Sequence, residues 1–225
     1  MASSNLVLLA AKRPLATIAE QIADALRADI VTCRIQPGEA LRQSIIAQHY
    51  GVSQAPVREA LALLASDELV EHQANRGVRV ARLRLERAEE IAAIRLSLET
   101  DLMKAAAGRL ERQAIERAED AIDAAALAGE DVAELLRADR AFHQAIYRPA
   151  GKPITLDIVQ RLRTRNAQYL GFLWTHSSHA PSSRREHAEL LELMKAGETD
   201  DAVDFLQRHI RSALAEIVRC LTTEL

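Results

Sequence analysis

Ile45-Ile46-Ala47-Gln48-His49-Tyr50-Gly51-Val52-Ser53-Gln54-Ala55-Pro56-Val57-Arg58-Glu59-Ala60-Leu61 reads as a helix, a tight turn and a second helix. Gly51 suits the turn because glycine adopts a left-handed backbone at little cost. Ser53 stands where the second helix begins and can accept a hydrogen bond from a free backbone N–H. Pro56 falls in that helix's first turn, where a missing N–H does no harm. Val57, Leu61 and Leu64 recur at helical spacing and must face inward, which turns Gln54, Ala55 and Arg58 outward. Gln54 and Arg58 are then neighbours on one surface. In a helix-turn-helix unit this second helix enters the major groove with its N-terminal end near the bases. Glutamine matches an adenine edge and arginine a guanine edge. Ser53 and the free N–H groups of the helix start suit a phosphate. A helical hairpin used for protein contact, with solvated arginines, fits the same local pattern.

The flanks favour the first of these readings. Upstream, Ile18, Ile22, Leu26 and Ile30 repeat at helical spacing, and Pro37-Gly38 marks a turn. Arg42, at the start of the next short helix, can touch a phosphate. Downstream, Leu69-Val70-Glu71 and Val78-Arg79-Val80 read as short strands around an Ala74-Asn75-Arg76-Gly77 turn. The hairpin forms a wing from which Arg76 and Arg79 can reach the DNA backbone or minor groove.

Beyond Glu86 no strand pattern occurs. The periodicity predicts helices over about 87–110, 112–128, 131–148, 153–175, 182–196 and 199–222, enough to bury a core as a bundle. The expected fold is mainly α: a winged helix-turn-helix of three helices plus a β-hairpin, then an all-α bundle. The expected organisation is an N-terminal extension (1–14), a DNA-binding domain (15–82), a linker (83–86) and a helical domain (87–225).

Composition agrees with a helical globular chain. Hydrophobic residues make up 48%, charged residues 27% and aromatics only 3%, with Ala and Leu prominent. The net charge of −3 alone argues against a nucleic-acid partner, but it is unevenly spread. Residues 1–85 hold 10 basic against 8 acidic side chains, whereas 86–225 hold 19 against 24. A local arginine cluster is enough to meet phosphates. Cys33 and Cys220 lack metal-type spacing and read as plain thiols. With neither a spanning segment nor a signal peptide in the pattern, a cytoplasmic protein is expected.

The segment 131–148 has an apolar stripe of Val132, Leu135, Leu136, Phe142 and Ile146, with Asp139 and His143 in or beside it. A buried carboxylate is costly unless paired or metal-bound, and i,i+4 spacing lets two side chains share one ion. His187, near Leu190, Leu191 and Met194, and His209, near Leu206 and Ala213, also sit beside core-facing stripes. One carboxylate and three imidazoles suit a divalent transition ion, with Zn²⁺ first and Ni²⁺ or Mn²⁺ as alternatives. Core histidines, and an Asp139 paired with Arg140 or another arginine, fit the same pattern.

Three linked stretches carry a family resemblance: Pro37-Gly38-Glu39-Ala40-Leu41, Gly51 to Leu61, and Leu69-Val70 with Asn75 to Val80. They resemble the winged helix-turn-helix of the GntR family of bacterial transcription factors, and the match spans about residues 15–82. Gln54 departs from the arginine usual there, and Gln43 from the more common glutamate; with Gln54 at a base edge, an operator different from the family's usual one is expected. The remainder resembles the sensing domain of FadR-type members. Asp139-Arg140-Ala141-Phe142-His143, Arg185-Glu186-His187 and Arg208-His209 match its metal positions, and Arg95 and Glu99 echo its first helix. The resemblance implies a homodimer on near-palindromic double-stranded operator DNA. It also implies a small carboxylate effector near the metal, for which Arg95, Arg165 and Asn166 are the expected contacts, and no membrane partner. A regulator that reads the ion itself, and a metal-dependent hydrolase, are the alternatives. HExxH, nucleophile-elbow and Gly-rich phosphate-loop motifs are absent from the sequence.

Overall fold

The computed structural model describes residues 16–73, 77–176 and 180–224. α1 (Ile18–Val31) opens with a capping box: Thr17 and Glu20 each bond the other's backbone N–H. It buries Ile22, Ala23, Leu26 and Ile30, while Ile18, expected on the same stripe, is 56% exposed in the first turn. α2 (Gln43–Tyr50) stops at Gly51, whose φ of 65° is left-handed. α3 (Gln54–Ser66) buries Val57, Ala60, Leu61 and Leu64.

The wing is a three-stranded antiparallel sheet in the order β1 (Ala40–Leu41), β3 (Gly77–Val80), β2 (Val70–Gln73). Its register pairs Val70 with Val80, His72 with Val78, and Leu41 with Val78. Two residues are too few for a periodic signal, so sequence reading found the hairpin and missed β1. The turn with Arg76 lies outside the described residues.

The bundle consists of α4 (Leu85–Ala106), α5 (Arg112–Leu127), α6 (Val132–Tyr147), α7 (Pro153–His176), α8 (Ala180–Ala196) and α9 (Thr199–Glu224). A 3-10 turn (Arg148–Ala150) follows α6. The Asp131 side chain accepts hydrogen bonds from the Ala133 and Glu134 N–H groups, which fixes the start of α6. α4 ends earlier than the sequence pattern predicts, shortly before Gly108, which has a φ of 71°. No helix among the described residues is long and apolar enough to cross a membrane.

Two apolar clusters hold these elements. One lies inside the bundle and joins α4, α6, α8 and α9 through residues such as Leu102, Phe142, Ile146, Leu190, Leu206 and Ile210. The other is shared. Leu26, Ile30, Leu61, Leu64 and Val80 of the N-terminal module pack in one cluster with Leu136, Leu170, Leu173, Trp174 and Ile217 of the bundle. α1 and α7 meet at Gly171, where an added Cβ would overlap the Val31 carbonyl. Polar bonds line the same seam. Gln168 Nε2 donates to the Ala81 carbonyl (3.0 Å). The Tyr169 hydroxyl donates to the Arg84 carbonyl (3.1 Å) and accepts from its N–H (3.3 Å). Leu83 is buried and α4 begins at Leu85, so residues 83–86, expected as a linker, are held against the bundle.

Candidate metal centre and DNA-reading face

α6 carries Asp139, His143 and Tyr147 at successive i,i+4 positions on one buried face. α8 brings His187 and α9 brings His209 to the same point, both buried. Each of the three histidines offers a ring nitrogen within 4.8 Å of the others'. The Nε2 atoms of His143 and His187 are 3.1 Å apart. Asp139 Oδ1 lies 3.7 Å from the former and 3.6 Å from the latter. The ring of Phe142 stacks on His187 at 4.3 Å.

The far sides of these groups are already occupied. His143 Nδ1 is 3.2 Å from the Tyr147 hydroxyl, and His209 Nδ1 is 2.5 Å from Glu186 Oε2. Asp139 Oδ2 accepts from Arg163 Nη2 at 2.6 Å. Two imidazoles and the carboxylate are therefore anchored from behind, leaving His143 Nε2, His209 Nε2 and Asp139 Oδ1 for a common centre. Oriented ligands backed by outer hydrogen bonds are what a metal centre requires, and the three-imidazole, one-carboxylate set fits a divalent ion.

Electrostatics favour neutral imidazoles at His143 and His187 and an ionised carboxylate at Asp139. Burial, with Arg163 next in weight, holds His143 well below its ordinary pKa. Burial and then His209 lower His187 to about 3. Both rings are neutral near pH 7. Burial alone would push the Asp139 carboxyl up, but the Arg163 guanidinium, with His187, outweighs it and the net shift is downward. Glu99 follows the same logic: the cost of burial is outweighed first by Arg95 and then by Arg163.

Of the expected effector contacts, Arg95 is buried and pairs with Glu99 at 2.6 Å, and Asn166 is buried on α7. Arg165 is not brought to the cluster. It pairs with Glu68 at 2.8 Å, at the seam with the N-terminal module. The arginine at the centre is Arg163, which bonds both Asp139 and Glu99 (3.2 Å), so Asp139 pairs with an arginine other than Arg140. Two residues along a helix is about 200°, nearly the opposite face. The signal was present: Arg163 lies four after buried Val159 and three before buried Asn166. Tyr147 and Glu186 were also missed, although Tyr147 continues the Asp139–His143 spacing.

On the N-terminal module, Gln54, Ala55 and Arg58 are exposed at the start of α3. Ser53 occupies the N-cap position with φ −72° and ψ 166°, but its hydroxyl makes no capping hydrogen bond, contrary to expectation. Arg42 is exposed at the N-cap of α2. Arg79 is half-buried, and its Nη1 donates to the Gly38 carbonyl at 3.0 Å, tying the sheet to the turn before β1.

Two family models match the chain: "Bacterial regulatory proteins, gntR family" over residues 18–80, and the FCD domain over residues 90–212. The chain belongs to the gntR family with an FCD domain. This GntR protein is 28% identical over 200 residues to the HTH-type transcriptional regulator BphR of Paraburkholderia xenovorans LB400, covering 85% of this chain and 82% of that one. It is 25% identical over 215 residues to the HTH-type transcriptional repressor RspR of Escherichia coli K12, covering 94% and 93%. Among solved structures, E. coli McbR/YncC matches with a TM-score of 0.78 at 22% identity, over 91% of this chain and 99% of that one, a likeness of fold. A putative GntR regulator from Rhodococcus sp. RHA1 matches with a TM-score of 0.73 at 26% identity, over 89% and 97%. This GntR protein is a DNA-binding transcriptional regulator with an FCD-type effector domain, and its role is regulatory rather than enzymatic.

Proposed function

We propose that this regulator is a FadR-type homodimer that grips a near-palindromic operator and adjusts its grip to a small carboxylate held beside a divalent metal in the bundle. Asp139, His143, His187 and His209 are the metal ligands, with Zn²⁺ preferred over Ni²⁺ or Mn²⁺. The observation that carries the reading is the convergence of three buried imidazoles on one carboxylate, with His143, His209 and Asp139 each fixed from the far side. When bound, such an ion supplies an electrophilic anchor for a carboxylate oxygen.

The chain's own groups favour an anion. Arg95 and Arg163 already balance Glu99 and Asp139, and the two imidazoles with lowered pKa are neutral. A divalent ion would leave buried positive charge in excess, and an anionic effector offsets it. Arg163 is 8% exposed, and its Nε has no hydrogen-bond partner among the described residues. An unpaired buried donor calls for an acceptor. Arg95, Arg163 and Asn166 are the groups that orient the carboxylate. Arg165 acts instead at the seam.

The DNA-reading groups are Gln54, Ala55 and Arg58 at base edges, with Ser53 and Arg42 on phosphates and Arg76 and Arg79 on the wing. α7 joins the two regions: Arg163 faces the polar centre, whereas Arg165, Gln168 and Gly171 face the N-terminal module. An effector that binds one arrangement of this seam more tightly shifts the population of DNA-gripping states.

The test uses an operator selected by the full-length protein from random duplexes. Operator affinity is measured after chelation, after Zn²⁺ is restored, and then with a panel of small carboxylates. A response only to the carboxylates supports the effector reading, whereas a response to the ion alone transfers the signal to the metal. Full metal occupancy in the His143→Ala/His209→Ala protein, by elemental analysis, overturns the centre.

A further inference from the structure

Behind His143 runs a chain of hydrogen bonds that leaves the ligand cluster altogether. The His143 ring sits with Nδ1 3.2 Å from the Tyr147 hydroxyl. That hydroxyl donates to Glu99 Oε2 at 2.6 Å. Glu99, with no exposed surface, also accepts from Arg95 Nε at 2.6 Å and Arg163 Nη1 at 3.2 Å. Arg163 in turn donates to Asp139, so the chain closes on the carboxylate that faces His143 Nε2.

The direction of each bond follows from the donor inventory. A glutamate flanked by two guanidinium groups is an acceptor only, so the tyrosine must direct its single proton to Glu99. The phenolic oxygen then accepts, and His143 must supply the proton from Nδ1. Its other nitrogen, Nε2, is thereby the lone-pair atom, and it points at His187. The 3.1 Å contact with His187 Nε2 can be made with either ring as the donor, so it does not fix the His143 tautomer by itself.

We infer that Tyr147, anchored by Glu99, is the positioning residue that sets the His143 tautomer and ring orientation and so tunes how tightly the cluster holds a divalent ion. The inference rests on the metal-centre reading above. It adds a role for a residue that touches neither ion nor effector, and it makes the arginine pair and the ligand cluster one hydrogen-bonded unit.

The experiment measures the Zn²⁺ dissociation constant of the full-length protein by competition with a chromophoric chelator. Four proteins are compared: wild type, Tyr147→Phe, His143→Ala and the double variant. Tyr147→Phe keeps the ring that fills the core and removes only the hydroxyl. Loss of an outer-shell partner weakens metal binding by about 10–100-fold, and that range is expected for Tyr147→Phe. In the His143→Ala background the same change should have no further effect, because the hydroxyl acts through the imidazole. Binding by Tyr147→Phe within about twofold of wild type would overturn the inference while leaving the metal centre standing. An equal loss in both backgrounds would also overturn it, since the tyrosine would then act on the fold at large. A wild-type protein that takes up no Zn²⁺ sinks the metal-centre reading and this inference with it.

Discussion

The outer face of α3 and the polar knot inside the bundle use similar side chains in opposite ways. On α3, Arg58 is exposed and outside any ion pair among the described residues. In the knot, Arg163 is 8% exposed and bonds two carboxylates. The first arginine is free for a partner outside the molecule, and the fold hardly depends on it. The second is held by partners inside, and the fold depends on it heavily. A free surface can therefore change specificity at little cost in stability, whereas the buried knot cannot change one residue without disturbing its neighbours.

The sharpest way to break this contrast is to truncate each arginine. Arg163→Ala leaves Asp139 and Glu99 buried with too little positive charge, and removing one partner of a buried pair costs about 3–5 kcal/mol. Chemical denaturation should register a loss of that size. A loss under about 1 kcal/mol would mean that water reaches the knot and that it is not a buried network.

Acid titration probes the same centre. In metal-free protein, His143 and His187 have folded pKa values below the unfolded value, His187 at about 3. As pH falls below about 6.5, the unfolded chain takes up protons that the folded chain refuses, so stability falls. Each histidine contributes a slope of about 1.4 kcal/mol per pH unit. The two together approach a slope of about 3 kcal/mol per pH unit once pH is well below 6.5 and both unfolded histidines are protonated. Asp139 and Glu99 are both held below their ordinary values and do not offset this at mildly acidic pH. Denaturation midpoints that stay flat from pH 7 to 5 would contradict the buried neutral imidazoles.

Arg58→Ala should do the reverse of Arg163→Ala. Loss of a base-edge contact costs about 1–3 kcal/mol of operator affinity, while folding stability stays within about 0.5 kcal/mol. Fluorescence anisotropy on the selected operator, with a thermal melt beside it, separates the two. Unchanged affinity would remove Arg58 from the reading face.

The contrast also explains what the sequence made legible. The turn at Gly51, the buried stripe of α3 and the strands of the hairpin are local features, and periodicity located them. Asp139, His143, His187 and His209 were legible because polar residues on apolar stripes need a reason, although only the fold brings α6, α8 and α9 to one point. Arg163 was missed in favour of Arg165 because both are charged residues on one long helix, and a two-residue error in rotation exchanges the inside for the seam. The capping role of Ser53 failed for a different reason: residue preference names the position, not whether the hydroxyl turns inward. The seam itself left little trace, since Gly171 in α7 looks like a weak helix residue until α1 is laid against it.

The smallest effect lies at that seam. α3 ends in a pair of bonds, Leu69 N–H to the Leu64 carbonyl and Glu68 N–H to the Ala65 carbonyl, both 3.0 Å, with Glu68 at a φ of 58°. This is a Schellman ending, and glycine is its usual occupant. A glutamate there carries backbone strain of about 1 kcal/mol, and its carboxylate reaches Arg165 on α7 and Arg87 on α4. Half-exposed pairs of this kind are worth about 0–1 kcal/mol each. Glu68→Ala loses the pairs and keeps the strain, so the melting temperature should drop by about 2–4 °C per kcal/mol lost. Glu68→Gly loses the pairs and most of the strain, so it should melt close to wild type. Any change it makes in operator affinity then reports the ion pairs rather than stability. If the two variants melt alike, the left-handed backbone at Glu68 is not a measurable drain on stability, and the ion pairs to Arg165 and Arg87 have no strain to offset.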